Sequence, residues 1–140
     1  MRVSYVIVFV SDMKRSVAFY RDVVGLPLKF DSPEWTEFAT DGATFALHRA
    51  DHRGPAEAGP SQGSLRPSRG SQGGTERSAG SCRPGLSVRD LDAFHTRMIE
   101  YNVVCIQQPK DLFGSKIAQY LDPDGLEISV SEERSLEARF

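Results

Sequence analysis

The sequence is poor in cysteine, in long apolar runs and in any excess of one charge, and each shortage removes a class of function. It has two cysteines, Cys82 and Cys105, and their spacing suits neither a metal knuckle nor a disulfide framework. Free thiols in a reducing cytoplasm are the expectation. No stretch approaches the roughly 20 consecutive apolar residues of a membrane-spanning helix, and the N-terminal run ends in Ser-Asp without a small-residue cleavage site, so no signal peptide is expected. The formal charge is −2, which gives no electrostatic case for nucleic acid or for an anionic membrane surface. The Gly-rich SQGG lacks the lysine and helix of a phosphate loop. No nucleophile elbow and no Ser–His–acid spacing is present, so hydroxyl nucleophile chemistry is not expected.

What is present is a repeat. At 140 residues the chain suffices for one ordinary domain and is short for two independent ones. The first half opens with the strand-like run VSYVIVFV, followed by Ser-Asp as a helix start. Met13, Val17, Tyr20 and Val24 then mark one helix face, closed by Gly25 and Pro27. Three strand-like runs follow: LPLKFD, WTEFAT and TFALHR. The second half repeats the order with RPGLSV, a helix face at Leu91, Phe94, Met98 and Tyr101, then VVCIQQ, SKIAQYL, the turn DPDG and LEISVS. Matching positions are offset by 78 at the first strand and 83 at the last, so the second half has an insertion in its middle strands. Each half reads βαβββ. The expected fold class is α+β, two βαβββ modules forming a curved mixed sheet around a cleft.

Module one spans 1–50, module two 82–131, with a tail over 132–140. Between the modules, 51–81 is about half Gly, Ser or Pro and holds a single large aliphatic residue, Leu65. Such a segment buries too little apolar surface to offset its ordering entropy and is read as a flexible linker or mobile loop.

The segment VSDMKRSVAFYRDVVGLPL, together with LDPDGLEISV before the end, resembles the glyoxalase / bleomycin-resistance / extradiol-dioxygenase (vicinal oxygen chelate) superfamily over nearly the whole chain outside the linker. Catalytic members hold a divalent metal in the cleft with ligands from the first and last strand of each module. The resemblance places those positions at Tyr5, Ala46, Arg83 and Ser129. A phenol, a methyl, a guanidinium and a hydroxyl do not supply the convergent His, carboxylate or thiolate donors that such ions need. Arginine, always protonated, repels a cation.

The resemblance therefore implies a protein without cofactor that binds or sequesters a small organic molecule in the cleft. Candidate ligand-binding residues are Tyr5, Phe9, Trp35, His48, Arg83 and Ser129. Strand alternation puts Tyr5, Ile7 and Phe9 on one face, and Ala46 with His48 on one face of another strand. Trp35 and Glu37 share a face, as do Ser129 and Ser131. Arg83 suggests an anionic or neutral ligand rather than a cationic drug. The alternative is an enzyme of the lyase, isomerase or dioxygenase type, with His48 as base or as part of a non-standard metal site. A degenerate scaffold whose cleft is filled by side chains is a third reading. His52 and His95 read as surface residues. A homodimer is expected, with no nucleic-acid or membrane partner.

Overall fold

The computed structural model describes residues 1–51 and 79–133. The segment read as a linker lies for the most part outside the described residues, as does most of the tail. The chain divides into two compact units, each built on one four-stranded sheet.

The first module, which apart from Asp22–Val24 lies in the first unit, contains β1 (Tyr5–Val10), α1 (Met13–Ala18) continuing into a π-helical turn (Phe19–Val24), β2 (Leu28–Asp31), β3 (Trp35–Phe38) and β4 (Thr44–Arg49). Its strand order is β1-β4-β3-β2, with β1 parallel to β4 and the other pairs antiparallel. The second unit repeats this with β5 (Gly85–Val88), α2 (Leu91–Glu100), β6 (Cys105–Leu112), β7 (Ser115–Leu121) and β8 (Glu127–Glu132), in the order β5-β8-β7-β6. Strand β8 runs one residue past the expected end of module two. Two mixed sheets with few helices are the α+β, two-module fold that the repeat predicted.

The equivalence extends to individual hydrogen bonds. Asp12 caps α1 by accepting from Arg15 N at 3.1 Å, and Asp90, 78 residues later, caps α2 by accepting from Ala93 N at 2.9 Å. Both carboxylates satisfy a backbone donor that a helix start leaves without an internal partner. Ala50 N donates to Val10 O at 2.8 Å, and Glu133 N donates to Val88 O at the same 2.8 Å, which reproduces the offsets of 83 and 78. The drift is taken up in the middle hairpin. Strands β6 and β7 have 8 and 7 residues where β2 and β3 have 4 each.

Each helix covers one face of its own sheet. In the first unit, Val8, Val10, Met13, Val17, Tyr20, Phe38, Phe45 and Leu47 are buried, and the Tyr20 and Phe45 rings meet at a 50° tilt with centroids 4.9 Å apart. Phe19 is buried as well, a position that the sequence spacing did not mark. The helix then widens into the π-helical turn, in which Gly25 N bonds back five residues to Tyr20 O at 3.1 Å. Gly25 closes the segment at φ 96°, a left-handed conformation that favours glycine. In the second unit Leu91, Phe94 and Met98 pack over Ala118, Tyr120, Ile128 and Val130. Tyr101, expected on the buried helix face, follows the last helical residue and is exposed.

Two residues hold the second unit's closing strands. Asp122, nearly buried, accepts from Asp124 N at 2.9 Å and Leu126 N at 2.8 Å through one carboxylate oxygen, which shapes the DPDG turn. Tyr120 is fully buried with its hydroxyl hydrogen-bonded to His95 Nδ1 at 2.9 Å. Burial, with a smaller contribution from Cys105, pushes the Tyr120 phenol well above its ordinary pKa. Asp122→Ala removes two charge-assisted hydrogen bonds and is expected to lower unfolding free energy by about 2 kcal/mol in urea titrations. Tyr120→Phe should cost about 1 kcal/mol at neutral pH. Because the folded-state pKa is raised, the neutral phenol stabilises fully below the unfolded value near pH 10 and that share is lost as pH climbs through the folded value. The Phe variant should therefore show a shallower loss of stability above about pH 10, read from urea midpoints across that range.

Candidate functional site

Strand β1 is apolar on both faces, and only one is covered by a helix. Val8 and Val10 face the core, whereas Tyr5, Ile7 and Phe9 are 52 %, 45 % and 64 % exposed. In an ordinary half-buried strand, the outward positions would be polar. The parallel register with β4 sets Tyr5 beside Thr44, Ile7 beside Ala46 and Phe9 beside His48. The antiparallel register with β3 adds Glu37 beside Ala46 and Trp35 beside His48. Phe30 on β2 is opposite Glu37 and is also exposed.

These side chains form a chain of ring contacts. Tyr5 meets Trp35 edge-on at 6.4 Å between centroids, Trp35 meets His48 at 5.9 Å, and His48 meets Phe9 at 5.4 Å. Tyr5 and Trp35 start on opposite sides of the row that Ala46 occupies, so their rings converge across it. Ala46 is fully buried although Ile7, Glu37 and His48 beside it are not. A methyl is what permits the two rings to approach, since a larger side chain would stand between them.

Two polar groups in the cluster are oriented from within. Trp35 Nε1 donates to Glu37 Oε1 at 3.1 Å, which fixes the indole plane. His48 Nδ1 lies 2.7 Å from Arg49 O. A carbonyl only accepts, so Nδ1 carries the hydrogen and the neutral ring offers Nε2 as acceptor. Arg49 itself pairs with Glu34 at 3.3 Å.

The corresponding face of the second unit is polar. Gly85 and Ser87 on β5 pair with Ser129 and Ser131 on β8, and β7 contributes Ile117 and Gln119. Arg83, just before β5, donates to Glu127 Oε2 at 3.1 Å in a half-buried ion pair. The sequence suggests an anionic ligand for Arg83, whereas the structure pairs it with Glu127. The repeat held the signal, because the two offsets map the adjacent Tyr5 and Thr44 onto Arg83 and Glu127. Of the six expected ligand-binding residues, Tyr5, Phe9, Trp35 and His48 come together on the first sheet. Arg83 and Ser129 belong to the second.

The donor chemistry for the divalent metal of catalytic relatives does not fit these positions. Tyr5 is in ring contact with Trp35, Ala46 has no donor, Arg83 is engaged by Glu127, and Ser129 brings one hydroxyl. Among the described residues no group of three or more His, Cys, Asp or Glu is placed to hold a metal ion. Cys105 is half-buried, and burial pushes its thiol up, away from the thiolate that binds metals.

Comparisons with known proteins agree with this architecture. No protein of curated function matches the chain. Among solved structures, a protein of unknown function from Agrobacterium tumefaciens str. C58 is 26 % identical with a TM-score of 0.68, covering 96 % of this chain and 95 % of its own. TnmS3, an antibiotic binding protein from Streptomyces sp. CB03234, is 27 % identical with a TM-score of 0.64, covering 96 % and 97 %. A glyoxalase/dioxygenase from Nostoc punctiforme shares the fold at 17 % identity, with a TM-score of 0.73 and coverage of 96 % and 92 %. Among the described residues, no helix is long and apolar enough to cross a membrane. The family model for the Glyoxalase/Bleomycin resistance protein/Dioxygenase superfamily matches residues 2–130, and the chain belongs to that superfamily.

Proposed function

We propose that this protein binds a small, planar organic molecule on the exposed aromatic face of its first sheet, without a metal. The observation that carries this reading is the row Tyr5, Ile7 and Phe9, three large apolar side chains about half exposed on a strand whose other face is core. Contiguous apolar surface of this kind marks a site that something else covers. Tyr5, Trp35, His48 and Phe9 present ring edges and faces to a flat ligand, and stacking on each contributes about 0.5–1.5 kcal/mol beyond area burial. The resemblance to an antibiotic binding protein at 27 % identity supports a small-molecule ligand. Free Cys82 and Cys105 suit a cytoplasmic setting, and a homodimer belongs to the same proposal.

An enzymatic role has one observation in its favour, the anchoring of His48 Nδ1 that leaves Nε2 as acceptor. Binding is preferred because the candidate bases His48 and Glu37 are not joined by a donor set for a metal among the described residues, whereas the aromatic content of the face is large.

Trp35 is the only tryptophan, so its emission reports on this face alone. A ligand of about twenty heavy atoms at about −0.3 kcal/mol per atom binds with about −6 kcal/mol, a Kd of tens of micromolar. Titration with a panel of polycyclic aromatic compounds is expected to quench Trp35 in that range, equally with and without chelator. Phe9→Ala, at an exposed position, should weaken binding about tenfold while leaving the melting temperature within a few degrees. No quenching by any compound, or binding that chelator abolishes, would overturn the proposal.

A further inference from the structure

We infer that the ligand of the aromatic face carries a positive charge, as an alkylammonium or a delocalised planar cation. The inference rests on the reading of that face as a binding site and narrows its ligand class.

The polar groups that this face can still offer a ligand are few. Its two ring N–H donors are already engaged, Trp35 Nε1 with Glu37 and His48 Nδ1 with the Arg49 carbonyl. The remaining recognition groups are the electron-rich faces of Tyr5, Phe9 and Trp35, the acceptor Nε2 of His48, and the Glu37 carboxylate, with Tyr5 and Thr44 hydroxyls able to act either way. Ring faces carry the negative part of the aromatic quadrupole and attract a cation centred within about 6 Å.

Glu37 sets the sign. Among the strand residues paired in register on this face, which are Tyr5, Ile7, Phe9, Phe30, Trp35, Thr44, Ala46 and His48 besides itself, it is the one formally charged side chain, and Lys29, in the β2 bulge beside Phe30, is exposed on the edge strand. Glu37 is partly buried, with Ala46 and Phe30 opposite it and Trp35 two residues along its strand. A carboxylate in apolar surroundings is weakly screened, and it attracts a cation and repels an anion more strongly than one in open water. The nearby Arg49 does not reverse the sign, because its guanidinium pairs with Glu34 at 3.3 Å. Arg83, from which an anionic preference was expected, is engaged by Glu127 at 3.1 Å.

The test uses three probes on one skeleton, titrated calorimetrically into the full chain at fixed ionic strength: (2-naphthylmethyl)trimethylammonium, 2-naphthylmethanol and 2-naphthylacetate. The expected order is cation tightest by about tenfold over the alcohol, with the anion weakest. Glu37→Gln keeps an acceptor for the Trp35 N–H and removes the charge. It should weaken the cation about tenfold and leave the alcohol within about twofold. Equal affinity for cation and alcohol, or a cation preference that persists in Glu37→Gln, would overturn the inference while leaving the binding site intact. No heat with any of the three would instead remove the binding reading, and the charge preference with it.

Discussion

The period-two alternation of β1 is the constraint on which the rest depends. A strand shows successive side chains to opposite faces, so VIVFV with Tyr5 at its start commits apolar groups to both. The sheet has one helical layer, α1, and it can cover only one of those faces. Val8 and Val10 receive it, and the core of Tyr20, Phe38, Phe45 and Leu47 closes around them. Tyr5, Ile7 and Phe9 are left outward by the same geometry. A one-residue slip in register would exchange the two sets, so the buried core and the exposed aromatic row are two consequences of one pairing with β4.

The two units show how one backbone plan supports opposite surfaces. Capping by Asp12 and Asp90, the parallel pairing of first and last strands, and the helix on one face are common to both. The outward faces are not. Where the first has Tyr5, Ile7, Ala46 and His48, the second has Arg83, Gly85, Ser129 and Ser131 at the repeat-equivalent positions. The fold therefore leaves the outward face free to diverge, and function is read from side chains and not from the module.

Much of this is legible in the sequence. The two offsets, the helix starts and the βαβββ succession of elements follow from hydrophobic periodicity and from turn residues, which are local signals, whereas the order of the strands within each sheet does not. The grouping of Tyr5, Phe9, Trp35 and His48 followed from alternation combined with the resemblance. What escaped the sequence depends on geometry beyond simple periods. The first helix ends in a π-helical turn that departs from the 3.6-residue period, and the second helix stops before Tyr101. The Arg83–Glu127 pair joins residues 44 apart through a parallel register that becomes visible only when both offsets are applied together. Residues paired across strands are distant in sequence, and no local pattern announces which charge a given arginine will meet.

The claim that the first sheet's uncovered aromatic face is the binding surface is tested most directly by mapping a bound ligand onto the residues. Isotope-labelled protein would be followed by two-dimensional amide and side-chain NMR during titration with a polycyclic aromatic compound, in buffer freed of divalent metal. The account predicts shifts concentrated at Tyr5, Ile7, Phe9, Glu37, His48 and the Trp35 indole N–H, with Val8, Val10 and Leu47 on the core side little changed. Shifts centred on Ser87, Gln119, Ser129 and Ser131, or shifts that arise only after metal is restored, would contradict it.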